Sequence, residues 1–178
     1  MDKTRAKVKD FLRQNRMDEA DISMQQVCDL FTDEMNRGLA GHKSSLAMLA
    51  TYIETERQVP CNEPVIVMDA GGTNFRVATV WFRDDGKPVI EDFKLYKMPG
   101  IDAEVGRREF FRTMAQYVDH VVHRSAKVGF CFSYPLEMSP SKDGKVLYFS
   151  KEIKAAEVVG QMLGENLNRA IAAVHPGK

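Results

Sequence analysis

Apolar residues recur at helical spacing twice near the start of this chain, and then the period changes. Val8, Phe11 and Leu12 stand amid lysines and arginines over residues 3–16 and predict a short amphipathic surface helix. Val27, Leu30, Phe31 and Met35 form a second stripe, which Asp21 or Ser23 can cap and which Gly38 and Gly41 can stop. The segment HKSSLAMLATYIE that follows is compact and mildly apolar, and TERQVPCNEP reads as a connecting loop. Residues 1–63 are therefore expected to form a helical arm ahead of a sheet domain over 64–178.

From Pro64 onward the pattern is that of strands. Val65–Met68 is a continuous apolar run and predicts a strand buried on both faces. Phe75–Phe82 and VIEDFKLYKM predict two more, with the Asp-Gly of RDDGKP as the turn between them, so the three form an antiparallel meander. A broad apolar face from Val105 to Val122 predicts a helix from Asp102 or Ala103 to His123. KVGFCFSYP reads as a buried strand that breaks at Pro135. SPSKDGKVLYFSK holds a turn and a short strand, and AAEVVGQMLGENLNRAIAAV a last helix. The order βββαβ with flanking helices predicts a mixed α/β sheet, not the alternating βαβα of a doubly wound fold.

Composition narrows the function classes. At 178 residues the chain can bury a core without metal or disulfide staples. Its 25 basic and 25 acidic residues cancel, so no global field points to nucleic acid or an anionic membrane as partner. Cys28, Cys61 and Cys131 are odd in number and lack metal-ligand spacing, which predicts buried free thiols in a reducing compartment. No run approaches the roughly 18 apolar residues of a membrane span, and the charged N-terminus is unlike a signal peptide. A cytoplasmic protein is expected. His120 and His123 at i, i+3 fall short of a metal site, and Trp81 and the methionines read as core fillers.

The candidate chemistry sits where strands end. In DAGGTNFR, Gly71 and Gly72 permit positive φ and let backbone N–H groups approach an anion. Thr73 and Asn74 add side-chain donors, and Arg76 adds a guanidinium that suits phosphate oxygens. Asp69, at the carboxyl end of its strand, can hold a hydrated magnesium ion facing those phosphates. A Gly-Gly pair by itself is most simply a hairpin turn, with Asp69 its cap and Arg76 a surface residue. The whole D-x-G-G-T-N-x-R after a buried strand points instead to phosphate binding, although it is neither a Walker A loop nor a G-x-G-x-x-G fingerprint. Ser133, where GFCFSYP breaks, can offer a hydroxyl at a cleft rim to a ligand such as a sugar, or merely satisfy the following turn. Ser150 and Lys151 in LYFSKEI place a hydroxyl beside an ammonium, or are ordinary solvated side chains.

Together these segments resemble the N-terminal part of the hexokinase family, in the actin-like ATPase superfamily of sugar kinases. MDAGGTNFRVATV resembles the family's first phosphate motif, GFCFSYP its sugar-binding strand, and GLAGHKSSLAMLATYI the segment ahead of the phosphate loop. The resemblance runs from about residue 30 to the C-terminus. It implies a ribonuclease H-like, actin-like ATPase domain and ATP-dependent phosphorylation of glucose or a related hexose at its 6-hydroxyl. It implies that Asp69, Gly71, Gly72, Thr73, Asn74 and Arg76 line the site for ATP phosphates and Mg2+, with Asp69 holding the metal through water. Ser133, Ser150 and Lys151 would contact the hexose. The usual T-K-G-F reads Ser150, Lys151, Glu152, Ile153 here, which adds bulk and charge near the sugar, and a usual proline is Ala50. The family continues into a larger domain with an N-D-T segment carrying the catalytic aspartate and a second phosphate motif. Without it the chain is expected to be an inactive fragment of the parent kinase. If residues 1–29 pack on that domain, the chain alone exposes an apolar face through which it can dimerise. A sugar or nucleotide sensor that binds without turnover is the alternative.

Overall fold

The computed structural model describes residues 3–52, 59–149 and 152–177. The chain separates into two compact units, Met1–Met48 and Leu49–Lys178.

The first unit holds α1 (Lys3–Gln14) and α2 (Met24–Leu39). Ser23, not Asp21, caps α2 by accepting from the Gln26 N–H. Gly38 does not stop α2, as its sequence suggests, but lies inside it. A Cβ there would sit 2.0 Å from the Leu46 carbonyl oxygen, so glycine is what lets the returning chain pass. The stop is at Gly41, at φ +72°. The Gly41 and His42 amides donate back to the Gly38 and Arg37 carbonyls at 3.0 Å, the paired bonds of a left-handed helix terminus. Glu34 then gathers the chain beyond: its Oε2 accepts from the Ser44 and Ser45 hydroxyls at 2.9 and 2.8 Å and from the Ser45 N–H at 2.7 Å.

The second unit is built on a four-stranded sheet of β1 (Val65–Ala70), β2 (Asn74–Phe82), β3 (Pro88–Lys97) and β4 (Val128–Phe132), in the order β3-β2-β1-β4. The first three strands are the expected antiparallel meander, and β4 lies parallel to β1. The crossover between them is α3 (Arg107–Tyr117). After β4 come a hairpin of β5 (Leu136–Met138) and β6 (Gly144–Val146), then α4 (Leu163–Val174). α3 and α4 cover one sheet face, where Ile66, Met68, Phe75, Phe110, Met114 and Leu167 form the core.

Several local expectations are corrected. β1 is not buried on both faces: Ile66, Met68 and Ala70 are buried while Val65, Val67 and Asp69 are only half-buried. On that same open face β3 exposes Ile90, Phe93 and Leu95. The helix predicted from Asp102 or Ala103 to His123 is only Arg107–Tyr117, because Val118–Arg124 fold into successive tight turns. Val118 and Val121 remain buried there, so the apolar periodicity outlasts the helix. The last predicted helix is broken at Gly160, φ +80°, whose N–H donates to the Val146 carbonyl at 2.7 Å. Its first part is instead a short 3-10 turn at Ala156–Val158, after which residues 160–162 run alongside β6, and β5 is a strand the sequence pattern does not announce. Cys28, Cys61 and Cys131 are free but exposed, not buried, and Trp81 is half-buried near the end of the inner strand β2.

His120 has a structural task. Its ring Nε2 lies 2.9 Å from the carbonyl oxygen of Asp92, a residue at φ +53° where β3 slips register against β2. No cluster of three metal-ligating side chains occurs among the described residues, and no helix there is long and apolar enough to cross a membrane.

Candidate functional site

Antiparallel register brings Asp69 and Arg76 face to face. They are Cα partners across β1 and β2, and Arg76 Nη1 donates to Asp69 Oδ2 at 2.7 Å. Opposite charges directly opposed across strands stabilise the pairing modestly. Both side chains stay partly exposed on the open face of the sheet, at 35% for Asp69 and 44% for Arg76. The acid and the guanidinium thus form one unit ahead of the loop, each orienting the other.

The loop itself is Gly71, Gly72 and Thr73. It closes through Gly71 N–H to the Asn74 carbonyl at 2.9 Å and is tied to β3 by Met98 N–H to the Thr73 carbonyl at 2.9 Å. The expected use of glycine is corrected, since neither Gly71 nor Gly72 adopts positive φ. Gly71 sits at a tight approach instead: a Cβ there would stand 3.2 Å from the Asn74 carbonyl oxygen and 3.7 Å from Arg76 Nη1. The amides of Gly72 and Thr73 and the side chains of Thr73 and Asn74 donate to no other described residue. Four donors therefore sit on one short ledge with no acceptor among the described residues.

The residue that holds this ledge is one that sequence reasoning missed. Tyr134, 5% exposed, donates its hydroxyl to the Gly71 carbonyl at 2.8 Å and stands 3.3 Å from that of Gly72. Burial pushes its phenol above the ordinary tyrosine range, so it remains a donor at neutral pH. Its ring packs between Phe132 and Phe149, with centroids at 4.9 and 5.0 Å. The only signal in the sequence was its place beside Ser133.

Ser133 continues the parallel ladder past β4, donating its N–H to the Ala70 carbonyl at 3.0 Å, and its side chain is exposed. The structure thus brings Asp69, Gly71, Gly72, Thr73, Asn74, Arg76 and Ser133 to one end of the sheet. Ser150 and Lys151 lie outside the described residues. The chain is anchored on either side of them, by Phe149 against Tyr134 and by Lys154 N–H to the Gly100 carbonyl at 2.8 Å. Glu152 is exposed, and Ile153 is buried at 8%.

The donor set of the ledge suits an anion, and a half-exposed carboxylate at a strand end suits a hydrated divalent cation, whose waters it would accept. The family model described as Hexokinase matches residues 7–176. Hexokinase-1 of Arabidopsis thaliana is 29% identical over 164 residues, and hexokinase-1 of Schizosaccharomyces pombe is 28% identical over 159. Each alignment takes in 85% of this chain, but 33% and 32% of those relatives, so the chain spans about a third of their length. The hexokinase from Schistosoma mansoni, solved in complex with glucose, superposes with a TM-score of 0.69 at 23% identity, over 86% of this chain and 37% of that one. The mixed sheet, with β4 parallel to the first strand of the meander, is therefore the fold of those enzymes. With a family model covering nearly the whole chain and that fold beneath it, the protein belongs to the hexokinase family.

Proposed function

We propose that this chain is the small-domain portion of an ATP-dependent hexokinase, and that the Tyr134-held ledge is its phosphate site. The observation that carries this reading is the set of donors from Gly72, Thr73 and Asn74, without an acceptor among the described residues, beside the Asp69–Arg76 pair and one strand away from Ser133. Residues 64–178 act as the small domain and residues 1–63 as an arm ahead of it.

In this reading the ledge amides and the Thr73 and Asn74 side chains donate to phosphate oxygens, and Arg76 adds a charge-assisted bond. Mg2+ would supply charge neutralisation on the phosphates, and Asp69 would hold it through water. Ser133, with Ser150 and Lys151, hydrogen-bonds the hydroxyls of glucose or a similar hexose. The acceptor for the 6-hydroxyl proton comes from a further, larger domain that closes over the sugar and excludes water. This chain alone then binds but does not turn over, and the parent works in the cytoplasm.

Titration calorimetry of Mg·ATP into the chain tests the phosphate site. Arg76→Ala and Asp69→Ala are each expected to weaken binding about tenfold or more, as loss of a charge-assisted bond does. Unchanged affinity in both variants sinks the assignment. Glucose phosphorylation by the full-length product, with and without Lys151→Ala, tests the reaction. Turnover by the 178 residues alone, abolished by Asp69→Ala, would falsify the fragment reading.

A further inference from the structure

A second concentration of positive charge lies away from the ledge. α3 and α4 enclose a groove of about 420 Å³, a size that suits a small molecule, and four arginines line it: Arg107, Arg108, Arg112 and Arg169. Among the described residues no acidic side chain lines the groove. Across the whole chain acids and bases are equal in number, so this clustering is not a consequence of composition.

The arrangement works against the helix that carries it. Arg107 and Arg108 occupy the first turn of α3, where the helix dipole disfavours cations, and Arg108 and Arg112 form a like-charge i, i+4 pair. Compensation within the protein is partial. Arg169 pairs with Glu165 at 2.6 Å, and Arg107 reaches the neutral Gln161 at 3.1 Å. Glu157 is spent on the Arg107 backbone N–H at 2.8 Å. Arg108 and Arg112 have no hydrogen-bond or ion-pair partner among the described residues. Between the guanidinia the floor is apolar, formed by Phe111 and Ala170.

The geometry points to a binding site for an organic phosphate, a phosphoryl group joined to an aromatic or aliphatic body. Arg108 and Arg112 present planar forks that match phosphate oxygens, while the Phe111 floor takes the apolar part. A bound dianion relieves both the dipole conflict and the i, i+4 repulsion, which gives the ligand a differential affinity for the folded helix. None of the ledge residues lines this groove, so the site stands whether or not the ledge binds ATP.

Phenyl phosphate and inorganic phosphate serve as probes on the full chain, followed by amide NMR shifts and calorimetry. Saturable phenyl phosphate binding is expected, tighter than that of inorganic phosphate, with shifts centred on Ala170 and Ala173. The double variant Arg108→Gln with Arg112→Gln, checked for native circular dichroism, should lower the affinity at least about tenfold. Arg76→Ala should leave the titration of the Ala170 and Ala173 shifts unchanged, which separates this groove from the ledge. The proposal is overturned if the double variant binds as the parent does, if Arg76→Ala alone abolishes binding, or if neither probe saturates. Tight binding of a poly-glutamate peptide with no phenyl phosphate binding would also overturn it, in favour of an acidic protein partner.

Discussion

Tyr134 donates its hydroxyl to the Gly71 carbonyl, one of the bonds that join the strand end carrying Ser133 to the ledge. Tyr134→Phe keeps the ring packing against Phe132 and Phe149 and deletes only the donor. Because the Gly71 carbonyl loses its partner in a half-dry place, a destabilisation of about 1–3 kcal/mol is expected. For a chain of this size each kcal/mol lowers the unfolding midpoint by about 2–4 °C. Thermal unfolding measures the loss, and faster amide exchange at Gly71 and Met98 shows that it acts through the loop. An unchanged midpoint with unchanged exchange would mean that the hydroxyl contributes nothing. At the same scale, Asp69 and Arg76 were legible as candidates, seven residues apart around a glycine turn, but their mutual ion pair required the register. Tyr134 was not legible, because its partner lies 63 residues earlier in the chain.

Elements in this protein are closed by residues far from them. α4 begins at Leu163 after Met162, which offers no side-chain cap, yet Asp143 from the β5–β6 turn supplies one. Its carboxylate accepts from the Gly144, Gly164 and Glu165 amides at 2.8, 2.6 and 2.9 Å. Asp143→Ala should destabilise by about 1–2 kcal/mol, the usual cost of a lost N-cap, with Asp143→Asn milder. Denaturant unfolding measures this, and equal stability of the Ala variant would refute the capping role. Gly164→Ala should also destabilise, since its Cβ would meet Asp143 Oδ1 at 2.9 Å.

Glu34 closes α2 in the same manner, and here pH is the lever. The Ser45 N–H and the Ser45 and Ser44 hydroxyls lower its pKa from 4.5 to about 2. A depressed carboxylate contributes stability that is full above its unfolded value and is lost as pH falls through the folded one. The Ser44–Ser45 segment should therefore loosen between about pH 4.5 and pH 2, and Glu34→Gln should remove that dependence. A carboxyl carbon resonance of Glu34 titrating near 4.5 would contradict it.

On the scale of the whole molecule the two units differ in how they are held. The unit Leu49–Lys178 has a core, but α1 and α2 contain no buried residue, and Leu30 and Phe31 are 67% and 56% exposed. Short isolated helices are marginal in water, so this stripe needs a cover. In solution the chain is expected to self-associate with rising concentration, and Leu30→Glu with Phe31→Glu to return it to monomer. Sedimentation velocity decides, and a monomer at all concentrations ends that expectation.

The sequence by itself determined the meander, the helical character of α2 and α3, the phosphate-loop motif and, through three motifs in order, the family resemblance. These are local: period, turn chemistry and short motifs are written within a dozen residues. Tertiary structure decided that β1 buries one face, that Gly160 breaks what looked like one helix so that the chain runs beside β6, and that Gly71 sits at a tight approach without positive φ. It also decided that Tyr134, Asp143 and Glu157 hold groups 63, 21 and 50 residues away, because a hydrogen bond reads distance in space and the chain order carries no record of it.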